Sequence, residues 1–113
     1  MIKQITFSPT GGSKKVADAV SKGIGQEIER IELCVPASKL MSASPSKDDV
    51  AVIAAPVYGG RIPSLAVERF SSIKGNGALC VIIAVYGNRA YDDALLELQE
   101  VVTNAGYQVV AAI

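Results

Sequence analysis

The chain has 113 residues, 50% hydrophobic and 19% charged, which describes one globular domain spanning residues 1–113 with material for a real core. Eleven basic residues cancel eleven acidic ones without a Lys/Arg run, and histidine is absent. The electrostatic footprint of a nucleic-acid binder, the common zinc sites and the base of a serine hydrolase are therefore excluded. No run of about 18 apolar residues and no apolar signal region occurs, so no membrane anchoring is expected and a cytoplasmic location is.

Ile2–Phe7 opens the chain as a buried strand, and Val16, Ala17, Val20 and Ile24 then recur at helical spacing. Between them lies Ser8-Pro9-Thr10-Gly11-Gly12-Ser13, a turn of hydroxyls and glycines. Its hydroxyls can donate, and its glycines let backbone N–H groups approach an anion at the positive end of the helix dipole. The same residues also suit a plain strand-to-helix turn with an N-cap serine. Neither a Gly-x-Gly-x-x-Gly dinucleotide fingerprint nor an NTPase P-loop is present.

Further strands are read at Ile28–Leu33, Val50–Ala55, Ala78–Val85 and Gln108–Ile113. Helical spacing recurs through Ile62, Leu65, Ala66, Phe70 and Ile73, and again through Ala94, Leu95, Leu98, Val101 and Val102. Residues 36–49 carry Ser, Pro and Lys with little apolar periodicity, so a short helix or irregular loop is expected there. Cys34 and Cys80 fall in apolar strand-like segments and read as buried thiols. Apolar strands alternating with amphipathic helices predict an α/β fold with a parallel sheet covered on both faces.

Ligands of such sheets bind at the carboxyl ends of the strands, where the strand order reverses. Three loops rich in unusual residues follow alternate elements at that edge. They are the Ser8–Ser13 turn, the stretch Pro56-Val57-Tyr58-Gly59-Gly60-Arg61-Ile62-Pro63, and Tyr86-Gly87-Asn88-Arg89-Ala90-Tyr91. Each tyrosine alone fits ordinary packing, but their clustering beside glycines suits a flat conjugated ring.

These three loops together resemble the flavodoxin-like family, and more closely its bacterial branch in which a flavodoxin domain precedes a ferredoxin-type iron–sulfur module. Ser8-Pro-Thr-Gly-Gly-Ser13 is similar to the FMN phosphate loop, with serine for the final threonine. The resemblance implies a doubly wound five-stranded parallel sheet of order 2-1-3-4-5, with the usual last helix missing after Ile113. It assigns phosphate binding to Ser8, Thr10, Gly11, Gly12 and Ser13. It places Pro56, Val57, Tyr58, Gly59 and Gly60 in the second flavin loop, with Tyr58 on the inner ring face and Gly59 meeting flavin N5. Tyr86, Gly87, Asn88 and Tyr91 fall in the third, with Tyr91 stacking on the outer face and Asn88 where many flavodoxins have aspartate.

By this resemblance the chain is expected to be an FMN-binding electron-transfer domain of a larger flavodoxin/iron–sulfur redox protein, acting with a fused or separate ferredoxin-type partner. Free-standing flavodoxins are usually strongly acidic, and the zero formal charge here fits a domain that does not rely on steering to meet its partner. A missing last helix also implies self-association. The rival readings are a flavin-dependent NAD(P)H or quinone reductase and a cofactor-free docking or regulatory domain. A receiver domain is disfavoured because Phe7-Ser8 stands in place of an acidic pair and Ala55-Pro56 in place of a phosphoacceptor aspartate.

Overall fold

A computed structural model describes residues 1–8, 11–25, 27–33, 45–57, 62–86 and 92–113. The elements run β1 Ile2–Thr6, α1 Gly12–Ile24, β2 Ile28–Glu32, β3 Val50–Val57, α2 Ser64–Ser72, β4 Leu79–Tyr86, α3 Asp92–Asn104 and β5 Gln108–Ala112. All strand pairs are parallel and the order is β2-β1-β3-β4-β5, which is the predicted doubly wound α/β sheet. The strand order reverses about β1, and β5 is the last element of the chain. Most of the loop expected over residues 36–49 lies outside the described residues, as does Cys34.

Alternation along each strand sorts the side chains into two layers. Ile5, Ile53 and Ile82 face α2 and α3 and pack with Phe70, Leu98 and Val102 in the larger core. Ile2, Val52, Val81 and Ile83 face the opposite way and receive Ala17, Val16 and Val20 of α1. Fully buried side chains such as Phe70 and Leu98 each contribute about 1.5–3 kcal/mol relative to exposure. Cys80 lies inside the larger core, where burial pushes its thiol up to about 12. Burial also raises the Tyr107 hydroxyl above its ordinary value, with a smaller contribution from Cys80 beside it.

β3 runs two residues past its predicted end, through Pro56, although proline removes a ladder donor. The bonding pattern explains why the strand tolerates it. The Phe7 N–H donates to the Ala54 carbonyl at 3.0 Å, so Ala54 faces β1 and Pro56, two residues on, faces the same way. The register of β1 against β3 ends at Thr6 and Ala54, so Pro56 lies beyond the ladder that would have needed its N–H.

α1 is bounded by two glycines in the left-handed region, Gly11 (φ 87°) before it and Gly25 (φ 79°) after it. Gly25 closes the helix by donating its N–H to the Ser21 carbonyl at 3.3 Å. The N-cap is therefore Gly11, and Ser13 is a buried residue of the first helical turn.

Candidate functional site

The register fixes what meets at the carboxyl edge of the sheet. Thr6 is level with Ala54, Pro56 with Val85 and Val57 with Tyr86. Ser8 at the exit of β1, Pro56 and Val57 at the end of β3, and the backbone of Tyr86 at the end of β4 thus share one edge, beside the point where the strand order reverses. Gly11, Gly12 and Ser13 lead from that edge into α1. The other predicted site residues, Thr10, Tyr58, Gly59, Gly60, Gly87, Asn88 and Tyr91, lie outside the described residues.

Ser8 is the node of the first loop. Its carbonyl accepts the Gly11 N–H at 3.3 Å, its Oγ accepts the Lys14 N–H at 3.1 Å, and its own N–H donates to Glu32 Oε1 at 2.9 Å. The Ser8 oxygen thereby serves one of the free donors of the first helical turn. The N–H groups of Gly12 and Ser13 meet no acceptor among the described residues. A Cβ placed on Gly11 or Gly12 finds no described atom within 4 Å, and both glycines stand at the positive end of α1.

The nearby cations are largely engaged. Lys14 Nζ lies 3.3 Å from Asp18 Oδ2 and Arg30 Nε lies 2.8 Å from Oδ1. The Arg30 hydrogen bond is the main cause that holds the Asp18 carboxyl down at about 2; partial burial opposes it, while Gln4 and Lys14 reinforce it. An anion at this loop would accordingly be held by N–H and hydroxyl donors.

Two carboxylates that sequence reasoning missed hold the loops. Glu32, at the end of β2, accepts from Ser8 N–H through one oxygen and from Thr6 Oγ1 at 3.0 Å through the other. Glu97 of α3 accepts the Ile62 N–H at 3.0 Å, near the end of the second predicted loop. Arg69 of α2 donates to the Leu33 carbonyl at the exit of β2. The strand order 2-1-3 could have flagged Glu32, because it places an acidic residue at the end of β2 beside the exit of β1. No periodicity distinguishes Glu97 from an ordinary exposed helix acid.

An open cleft of about 520 Å³ lies along α3, lined by Leu96, Gln99, Glu100, Thr103 and Asn104. No group of three or more potential metal ligands occurs among the described residues, and no helix among them is long and apolar enough to cross a membrane.

No protein-family model matches the chain, and no curated protein matches it in sequence. Solved structures do. The two-electron reduced flavodoxin of Megasphaera elsdenii superimposes with a TM-score of 0.68 at 18% identity over 99% of this chain and 83% of that one. A flavodoxin of Streptococcus pneumoniae TIGR4 gives 0.68 at 21% identity over the same shares. The flavoprotein of Lactobacillus acidophilus NCFM, solved in complex with FMN, gives 0.69 at 13% identity over 99% of this chain and 91% of that one. At these identities the agreement speaks for architecture, and the architecture is the flavodoxin fold.

Proposed function

We propose that this chain is a non-covalent FMN-binding electron-transfer domain. The observation that carries the reading is the first loop. Gly11 in the left-handed region opens α1 beside the strand-order reversal, and the N–H groups of Gly12 and Ser13 meet no acceptor among the described residues. A phosphate group fits that donor set without a dedicated cation. Three of the structural neighbours described as FMN complexes, one from Lactobacillus acidophilus and two from Fusobacterium nucleatum, share the fold.

Bound FMN would supply reversible one- or two-electron transfer at its ring. The chain's own residues bind and orient it. Gly12 and Ser13 donate N–H groups to the phosphate, aided by the α1 dipole. Ser8 keeps its hydroxyl proton for donation, because its oxygen is the acceptor toward Lys14; Thr10 adds a second hydroxyl. Pro56 and Val57 lead into the loop of Tyr58, Gly59 and Gly60, and Tyr86 leads into that of Gly87, Asn88 and Tyr91, with Tyr58 and Tyr91 stacking on the two ring faces.

A ferredoxin-type iron–sulfur partner, fused or separate, in the cytoplasm completes the proposed function, and the zero formal charge supports it. Exposed Leu79, Val110 and Ile113 support the expected self-association. The test of the cofactor is the visible absorption spectrum of the purified protein before and after addition of FMN and desalting. Retention of about one flavin per chain with a shifted spectrum is expected, and complete loss of the flavin on desalting would leave the cofactor-free docking domain as the better reading.

A further inference from the structure

We propose that Glu32 is the positioning residue of the phosphate loop, an inference that rests on the FMN reading above. The Glu32 carboxylate stands at the end of edge strand β2 and reaches across to the exit of β1, where Oε1 accepts the Ser8 N–H at 2.9 Å and Oε2 accepts from the buried Thr6 hydroxyl at 3.0 Å. Hydrogen bonds to an ionised acceptor are the stronger kind. This one ends on the residue from which the rest of the loop is organised.

Ser8 passes the constraint on in two directions. Its carbonyl holds Gly11 and its Oγ holds the N–H of Lys14, so Gly11 and the first turn of α1 are both referenced to Ser8, one through its backbone and the other through its side chain. Gly12 and Ser13, whose N–H groups meet no acceptor among the described residues, lie between those two anchor points. Freeing the Ser8 N–H would leave them less preorganised, and preorganisation of donors is where an anion site of this kind derives its selectivity. A negative charge beside a phosphate loop would by itself disfavour the ligand, so the value of Glu32 there lies in its geometry.

Two substitutions separate geometry from charge. Glu32→Gln retains an acceptor for Ser8 and an amide that can donate to Thr6; Glu32→Ala retains neither. Titration of the full chain with FMN and riboflavin should show Glu32→Ala weakening FMN by about tenfold or more, as the loss of one such hydrogen bond would, with riboflavin unchanged and with Glu32→Gln restored close to the unsubstituted protein. A ligand-free readout accompanies it: amide hydrogen exchange of Ser8 should accelerate by about tenfold in Glu32→Ala while the core amides of Val52 and Ile82 keep their protection. Equal weakening of both flavins, an unchanged FMN to riboflavin ratio, a Gln variant as poor as the Ala variant, or unaltered Ser8 exchange would each overturn the proposal. Failure of the unsubstituted protein to prefer FMN would count against the cofactor reading instead, and Ser8 exchange would then decide the role of Glu32 within the loop.

Discussion

Ser21 of α1 and Gln4 of β1 meet between helix and sheet, where the Ser21 hydroxyl donates to Gln4 Oε1 at 2.7 Å and both residues are buried. Gln4 spends its other end on Asp18, to which Nε2 donates at 2.7 Å. Asp18 in turn holds Arg30 of β2 and Lys14 of α1. A polar seam therefore runs under α1, through an otherwise apolar layer, toward the loop that the helix carries.

Ser21→Ala should strand the Gln4 carbonyl oxygen and cost about 1–3 kcal/mol of unfolding free energy. Replacing both residues with apolar ones should cost less than the sum of the single changes, because neither is then left facing an unpaired buried partner, and Asp18 keeps Arg30 and Lys14. Urea unfolding of the two single variants and the double variant checks this, and additive losses would show that the pair is not coupled.

Acid should weaken the same seam. The Asp18 carboxyl is held at about 2 in the folded chain against an ordinary value of 3.8, so the unfolded chain takes up the proton first. Its stabilisation is then present above the unfolded value and lost as pH falls from about 4 toward 2. Asp49 is displaced in the same direction, chiefly by its hydrogen bond from the Ser46 N–H. Asp18→Asn should therefore flatten the acid limb of melting temperature against pH without abolishing it; an unchanged limb would show that Asp18 does not shape it.

Substitution of the neighbouring glycines of the first loop should shift stability in opposite directions. Gly11 has φ 87° and Gly12 lies within α1, and neither lacks room for a Cβ among the described residues. Gly11→Ala must adopt a conformation that costs about 1–2 kcal/mol and should lower both melting temperature and FMN affinity. Gly12→Ala should raise stability by about 0.5–1 kcal/mol through the unfolded state, while its Cβ, set beside the N–H groups assigned to the phosphate, should lower FMN affinity. Matching effects of the two substitutions on stability in calorimetry would contradict the loop geometry.

Gly75 is required for a steric reason. A Cβ there would come within 2.6 Å of Tyr107 Cγ and N and 2.7 Å of the Gly106 carbonyl carbon, because the Gly75 N–H donates to the Ala105 carbonyl at 2.8 Å and brings the α2–β4 and α3–β5 loops together. Gly75→Ala should cost about 1–3 kcal/mol with no selective effect on flavin phosphate recognition. Wild-type stability in thermal melts would show that this contact relaxes freely.

β3 and β4 were legible because each is a nearly continuous apolar run, β1, β2 and β5 from shorter apolar stretches that carry polar residues, and the three described helices because Val16, Phe70 and Leu98 recur with the apolar stripes that the sheet buries. Strand order came from resemblance, since composition does not determine which edge β2 joins. Pro56 hid the true end of β3, whose tolerance of proline depends on β1 having ended. Gln4 and Ser21 looked like polar interruptions until helix and sheet were in place. Glu32 was missed for a related reason. Its partners Thr6 and Ser8 are 26 and 24 residues away in the chain, and only the parallel pairing of β1 with β2 brings them together.

Recognition of a phosphate by the loop from Ser8 to Ser13 is tested most sharply by the ratio of FMN to riboflavin affinity, measured by quenching of flavin fluorescence. The two ligands share the ring and differ in the phosphate. Loss of charge-assisted hydrogen bonds to that group should leave riboflavin weaker by at least about tenfold, and Thr10→Val should narrow the gap from the FMN side. Equal affinities for the two flavins would show that the loop does not read the phosphate.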